Sequence, residues 1–309
     1  MKKYFKILFV SILFCGSFFH GVAQQDVQFT QYMFNGLAIN PAYAGSQDAL
    51  SLTAIGRKQW VGIDGAPNSY TFSAHTPINP HSIGVGLQVT NDRIGPFNET
   101  AIYGSGAYWI KAGKKARLSM GLQIGVNLLR ADFDELLLQN PGDQLFSTNT
   151  STSTSPNVGA GLYYYTDRLY IGLSTPRIVR NELDLGDGDA DNFQRARHFF
   201  LSSGYVFNIN PNWKFKPNVL IKYVEGSPVQ ADINANFLFI ERLWLGVSWR
   251  SFDSFDFLAQ FYITPQLSVG YAYDLTTTRL SEVNSGSHEL MVNYLLKFKH
   301  DRILTTRYF

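Results

Sequence analysis

The stretch Arg117-Leu118-Ser119-Met120-Gly121-Leu122-Gln123-Ile124-Gly125-Val126-Asn127-Leu128 places an apolar side chain at every even position and a small or polar one at every odd position. Six alternations in succession define a β-strand, because successive side chains of an extended chain point to opposite faces. The same period of two recurs at Ile83-Val85-Leu87-Val89, at Val229-Ala231-Ile233-Ala235-Phe237 and at Leu290-Val292-Tyr294-Leu296-Phe298. A helical stripe competes with it only in the N-terminal leader and over Asp132 to Leu138. Reading outward in this way gives about fourteen strands, near 48–61, 67–77, 82–93, 98–112, 115–131, 156–165, 168–176, 196–208, 213–224, 228–239, 242–252, 254–263, 266–275 and 287–299. Most are about nine to fifteen residues long, where soluble sheets average roughly five to six and a tilted membrane-spanning strand needs about nine to eleven.

Strands of that length imply a bilayer, and in hydrocarbon a sheet must close on itself so that no backbone group is left unpaired. The predicted fold class is therefore all-β, a transmembrane antiparallel β-barrel of the outer-membrane type. Connection lengths support this independently. Counted from the first strand, the even connections are brief, and the three longest, Asp132 to Ser155, Pro176 to Arg195 and Thr276 to Gly286, are all odd. Outer-membrane barrels sort their loops in this way, with short periplasmic turns and long external loops. Trp60, Tyr108, Trp109, Tyr163, Tyr164, Trp213, Trp244 and Trp249 fall near strand ends and are expected in interfacial girdles. Only 16% of the residues are charged, well below the roughly 25% of soluble domains, so the charged exterior of a soluble sandwich is missing.

The leader, residues 1–23, opens with Lys2 and Lys3, runs through an apolar stretch too short to span a bilayer, and ends in Gly21-Val22-Ala23, the pattern of a secretory signal peptide. It contains Cys15, the one cysteine of the sequence. Of 26 Lys and Arg against 24 Asp and Glu, the leader holds three, leaving 23 against 24. A near-neutral chain without a basic stripe gives no reason to expect nucleic acid as a partner. The predicted layout is a signal peptide (1–23), an N-terminal plug or periplasmic segment (24–47), a barrel (48–299) and a periplasmic tail (300–309).

The sequence carries no Gly-x-Ser-x-Gly, no Cys-x-x-Cys and no phosphate-binding glycine loop, and its histidines are scattered. We expect neither an enzyme nor a cofactor. Asp187, Asp189 and Asp191 alternate like the start of a calcium loop, but Asn192 and His198 stand where that loop uses Gly and Glu, so a solvated external loop is the expected reading. The run Ser147 to Ser155 is low in complexity and reads as a loop tail.

Between leader and first strand lies an aromatic-rich segment, Gln28 to Gly45, too sticky to hang free and expected in the periplasmic mouth of the barrel. Gln31-Tyr32-Met33-Phe34-Asn35, Ile39-Asn40-Pro41-Ala42-Tyr43-Ala44-Gly45, Arg57-Lys58-Gln59-Trp60, Gly65-Ala66-Pro67, Ser73-x-His75-x-Pro77 and the closing Arg307-Tyr308-Phe309 resemble, in this order, the PorP/SprF family of type IX secretion membrane proteins. One departure is Thr305-Thr306, where the family pattern has Ser-Pro. The resemblance implies an outer-membrane barrel that serves secretion, surface attachment of large adhesins, or gliding motility. Its implied partners are outer-membrane lipid, a secreted adhesin or other secretion component, and a periplasmic peptidoglycan-associated protein. The family-like positions Tyr32, Phe34, Asn35, Asn40, Pro41, Tyr43, Gly45, Arg57, Gln59, Trp60, His75, Arg307, Tyr308 and Phe309 are then either a docking surface or parts of the plug. A passive or gated channel for solutes is the alternative function.

Overall fold

In the computed structural model the described residues are 27–78, 82–132, 151–179, 182–183, 193–194 and 196–296. The wall consists of fourteen antiparallel strands: β1 Leu50–Lys58, β2 Asn68–Ile78, β3 Ile83–Ile94, β4 Phe97–Lys111, β5 Arg117–Ala131, β6 Ser151–Tyr165, β7 Leu169–Arg177, β8 His198–Tyr205 continued by Phe207–Asn210, β9 Trp213–Val224, β10 Gln230–Phe239, β11 Leu243–Arg250, β12 Ser254–Tyr262, β13 Leu267–Thr276 and β14 Ser287–Leu296. Each pairs with its sequence neighbours, and β1 closes onto β14 from Leu50 opposite Leu296 to Lys58 opposite His288. Closure gives both edges a partner, as a bilayer requires.

The polarity of the wall is the reverse of a soluble protein's. On β5, Met120, Leu122 and Ile124 are 42%, 65% and 70% exposed, while Ser119, Gln123 and Asn127 on the other face are buried. Large apolar side chains face out around the circumference, among them Leu87, Ile102, Ile171, Leu173, Ile233, Val247, Phe257 and Leu290. Such a surface would aggregate in water and is stable only against hydrocarbon.

Two strands differ from the sequence reading. β6 begins at Ser151, so Ser151–Ser155 of the low-complexity run belong to the wall, paired with Ala131 to Asn127 of β5. Alternating Ser and Thr suit a strand once a neighbour supplies the ladder. The eighth strand is interrupted at Val206, which is wholly buried. Among the aromatics assigned to girdles, Tyr108, Trp213 and Trp249 do face outward, whereas Trp109, Tyr163 and Trp244 are buried. Their positions are in phase with the polar face of their strands, so strand parity overrides the preference of aromatic rings for the interface.

Candidate functional site: a lumen filled by the N-terminal segment

Residues ahead of β1 form three 3₁₀ turns, Tyr32–Phe34, Gly36–Ala38 and Pro41–Tyr43, and lie inside the barrel with Thr30, Gln31, Tyr32, Met33, Leu37, Ala42, Tyr43 and Ala44 almost fully buried. The segment occupies far more than the periplasmic mouth expected for it. A hydrated lumen gives an aromatic segment nothing to bury against except the strands' inner face, and this face is built to receive it. Gly86 and Gly121 leave the wall bare where Leu37 and Ala42 press against it. Gly45 (φ +72°) turns the chain toward β1 so close to Gly84 that a Cβ would lie 2.6 Å from that residue's Cα.

Two apolar anchorages hold the segment. Phe29, Tyr32, Met33 and Phe34 pack with Ile55, Phe200, Leu220, Leu238, Trp244, Leu258 and Met291, while Leu37, Ala42, Tyr43 and Ala44 pack with Ala107, Tyr163, Tyr165 and Tyr170. The Phe34 ring lies 5.9 Å from that of Trp244, and the Lys216 ammonium sits over both rings at 4.8 and 5.0 Å. Polar contacts fix the register. Asn40 Oδ1 accepts from Ala42 N at 2.9 Å, capping the third turn with Pro41 in its first position, and Asn40 Nδ2 donates to the Leu162 carbonyl at 3.0 Å. Ser73 donates to Asn35 Oδ1 (2.9 Å), Ser174 to the Ile39 carbonyl (2.6 Å), and Asn234 to the Tyr32 hydroxyl (2.9 Å). His75 Nδ1 accepts from Gly45 N at 3.2 Å and its ring meets Tyr43 edge-on.

The strongest cluster surrounds Thr30. Glu289 Oε2 and Oε1 accept the backbone N–H groups of Thr30 (2.8 Å) and Gln31 (2.9 Å). The Thr30 hydroxyl donates to Asp274 (2.8 Å) and accepts from Arg57 (3.0 Å) and Arg250 (3.3 Å). Arg57 bridges Asp274 (2.7 Å) and Glu289 (3.2 Å), and Arg250 reaches Asp232 (3.2 Å), Asp256 (3.6 Å) and Asp274 (3.5 Å). Lys222 joins Asp232 at 3.4 Å to Gln28 at 3.2 Å. All of these charged side chains are nearly or wholly inaccessible. Buried ions are costly to desolvate and add little net stability, but removing one partner strands the others, so such a network selects one seating of the segment.

Of the family-like positions, Tyr32, Phe34, Asn35, Asn40, Pro41, Tyr43, Gly45, Arg57 and His75 meet at this interface between segment and wall. Gln59 and Trp60 do not; they lie in the β1–β2 connection, where Gln59 N donates to the Pro67 carbonyl and Trp60 N to Ser287 Oγ. Arg307, Tyr308 and Phe309 fall outside the described residues, as do the leader and the acidic positions Asp187, Asp189 and Asp191. Among the described residues no group of three or more His, Cys, Asp or Glu is placed to hold a metal ion. The sequence reading missed Thr30, Lys216, Lys222, Asp232, Arg250, Asp256, Asp274 and Glu289. Their parity marks the wall residues among them as lumen-facing, but the inner face of such barrels is polar throughout, so alternation gave no signal to single these residues out.

Fold and site together define an outer-membrane β-barrel whose lumen is occupied by its own N-terminal segment. A family model, Type IX secretion system membrane protein PorP/SprF, matches residues 21–294, and the chain belongs to that family. No curated protein matches the sequence. Among solved structures the chain is similar to a monoaromatic hydrocarbon channel, CymD (TM-score 0.50, 14% identity, covering 86% of this chain and 93% of that one). It is also similar to the Acinetobacter baumannii outer membrane protein Omp33 (TM-score 0.47, 9% identity, 82% and 100%). At these identities the first likeness speaks for the barrel fold alone.

Proposed function

We propose that this member of the type IX secretion family is a non-enzymatic docking frame, which supports secretion or surface attachment of a large adhesin-type client by holding the client or another secretion component at the outer membrane. The observation that carries this reading is the filled lumen. A conduit needs a continuous aqueous path, whereas here the segment from Val27 to Gly45 runs through the barrel, anchored at both ends. What the barrel offers a partner is therefore its two rims. The wall makes those rims rigid, and the strand ends from which the three longest connections leave, after Ala131, Arg177 and Thr276, share one of them. The periplasmic rim is the place for a peptidoglycan-associated partner.

Affinity purification of the tagged barrel from native membranes, followed by identification of bound proteins and planar-bilayer recording of the same sample, tests the proposal. Co-purification of a secreted protein with a barrel that does not conduct supports it. Steady ion-permeable openings without a bound protein would favour the channel alternative.

A further inference from the structure

The direction in which the segment lies in the lumen is fixed by its partners. Its first described residues sit at the level of the long loops. Gln28 bonds Lys222, two residues before the end of β9, and Thr30 bonds Asp274, two residues before the end of β13, and Glu289, two residues into β14. Val27 and Phe29 line a cavity of about 90 Å³ together with Thr90, Asp92, Glu99 and Arg177 from the loop-side halves of β3, β4 and β7. The last residues sit at the opposite level, with Gly45 against Gly84 and Pro77, beside the short β2–β3 turn.

Because long loops mark the external side of such barrels, we infer that the segment descends from the cell-surface end, so that Val27 and Phe29 form the floor of the external mouth and Gly45 to Asp48 belong to the periplasmic rim. A protein docking from outside thus meets the segment's own beginning, and one docking from the periplasm meets its end. The inference holds whether or not the docking reading is right, since it concerns only the side from which each end is reached.

Cysteine accessibility tests it, because the sequence has no cysteine beyond Cys15 of the leader. Val27→Cys and Asp48→Cys are each treated with a membrane-impermeant maleimide on intact cells, on cells with a permeabilised outer membrane, and after boiling in detergent. Unheated electrophoresis verifies the closed barrel, and Gln28→Cys replaces Val27→Cys if the latter does not close. The expected result is equal labelling of Val27→Cys before and after permeabilisation, with loss of Asp48→Cys labelling on intact cells. Labelling of Val27→Cys only after permeabilisation or only after boiling overturns the inference, as does labelling of Asp48→Cys on intact cells.

Discussion

Replacing Glu289 by Ala removes the acceptor of two successive amides and one partner of Arg57 in a single step. Breaking a buried pair from one side costs about 3–5 kcal/mol, because the remaining charge stays buried without full compensation. The loss should fall locally. The turn Tyr32–Phe34 loses its carboxylate tie to β14, keeping only the longer bond from Gln31 Nε2 to the carbonyl of residue 289 and apolar packing, while the turn Pro41–Tyr43 keeps its cap, its Asn40 bond to Leu162 and its tyrosine surroundings. The informative amides are Phe34 N and Asn35 N, whose acceptors, the Gln31 and Tyr32 carbonyls, the substitution leaves in place. With about 1.4 kcal/mol per decade, a loss at the lower end of that range predicts roughly a hundredfold faster exchange there, read by hydrogen–deuterium mass spectrometry in detergent micelles. Peptides covering residues 40–46 and β5 should be unchanged. Glu289→Gln, which keeps one carbonyl acceptor, should produce a smaller effect. If residues 27–35 keep wild-type protection in Glu289→Ala, or if the wall loosens to the same extent, the network is not what seats this end of the segment.

Arginine at Ile124, on the lipid face, should lower the folding free energy into vesicles by about 2–4 kcal/mol if it sits near the bilayer midplane; a neutral result in denaturant titrations contradicts the outward-apolar assignment. Asn40→Ala removes a cap and a bond to the wall, and a destabilisation of about 1–2 kcal/mol is expected from thermal melts, confined to the region around the third turn by hydrogen exchange. Gly121→Ala should unseat the middle of the segment, because the new methyl meets the backbone of Pro41 and Ala42 and not a movable side-chain tip; proteolysis within residues 36–45 rises if so and stays at the wild-type rate if not. Deleting residues 27–45 should give steady openings in planar bilayers where the intact barrel is expected to give none. A silent deletion variant that still migrates as a closed barrel would show that something other than this segment blocks the lumen.

The wall was legible in the sequence because a barrel strand faces two solvents, and each writes its own residue type at alternate positions. Leu122 and Ile124 had to be apolar whatever the rest of the chain did, and Gln123 and Asn127 had to be small or polar. Strand length and loop sorting followed from bilayer thickness and from the export direction, which act on every strand alike. Alternation also determined that Asp274, Glu289, Arg57 and Arg250 point inward. The same parity turns Trp109, Tyr163 and Trp244 inward against the preference of aromatic rings for interfaces, but it could not say that Tyr163 and Trp244 pack against Tyr43 and Phe34 of the segment.

Only the tertiary structure decided what fills the lumen and how. The residues that grip the segment stand on strands at opposite ends of the chain, with Thr30 meeting Arg57, Arg250, Asp274 and Glu289 across sequence separations of up to 259 residues. Closure of β1 onto β14 brings them together, and no local pattern encodes a register between strands so distant in sequence. The direction of the segment, from the loop level at Gln28 to the turn level at Gly45, is likewise a product of that closure. Side-chain alternation is a one-dimensional signal and specifies a surface; the pairing of charges inside a closed cylinder depends on which strands become neighbours and at what height.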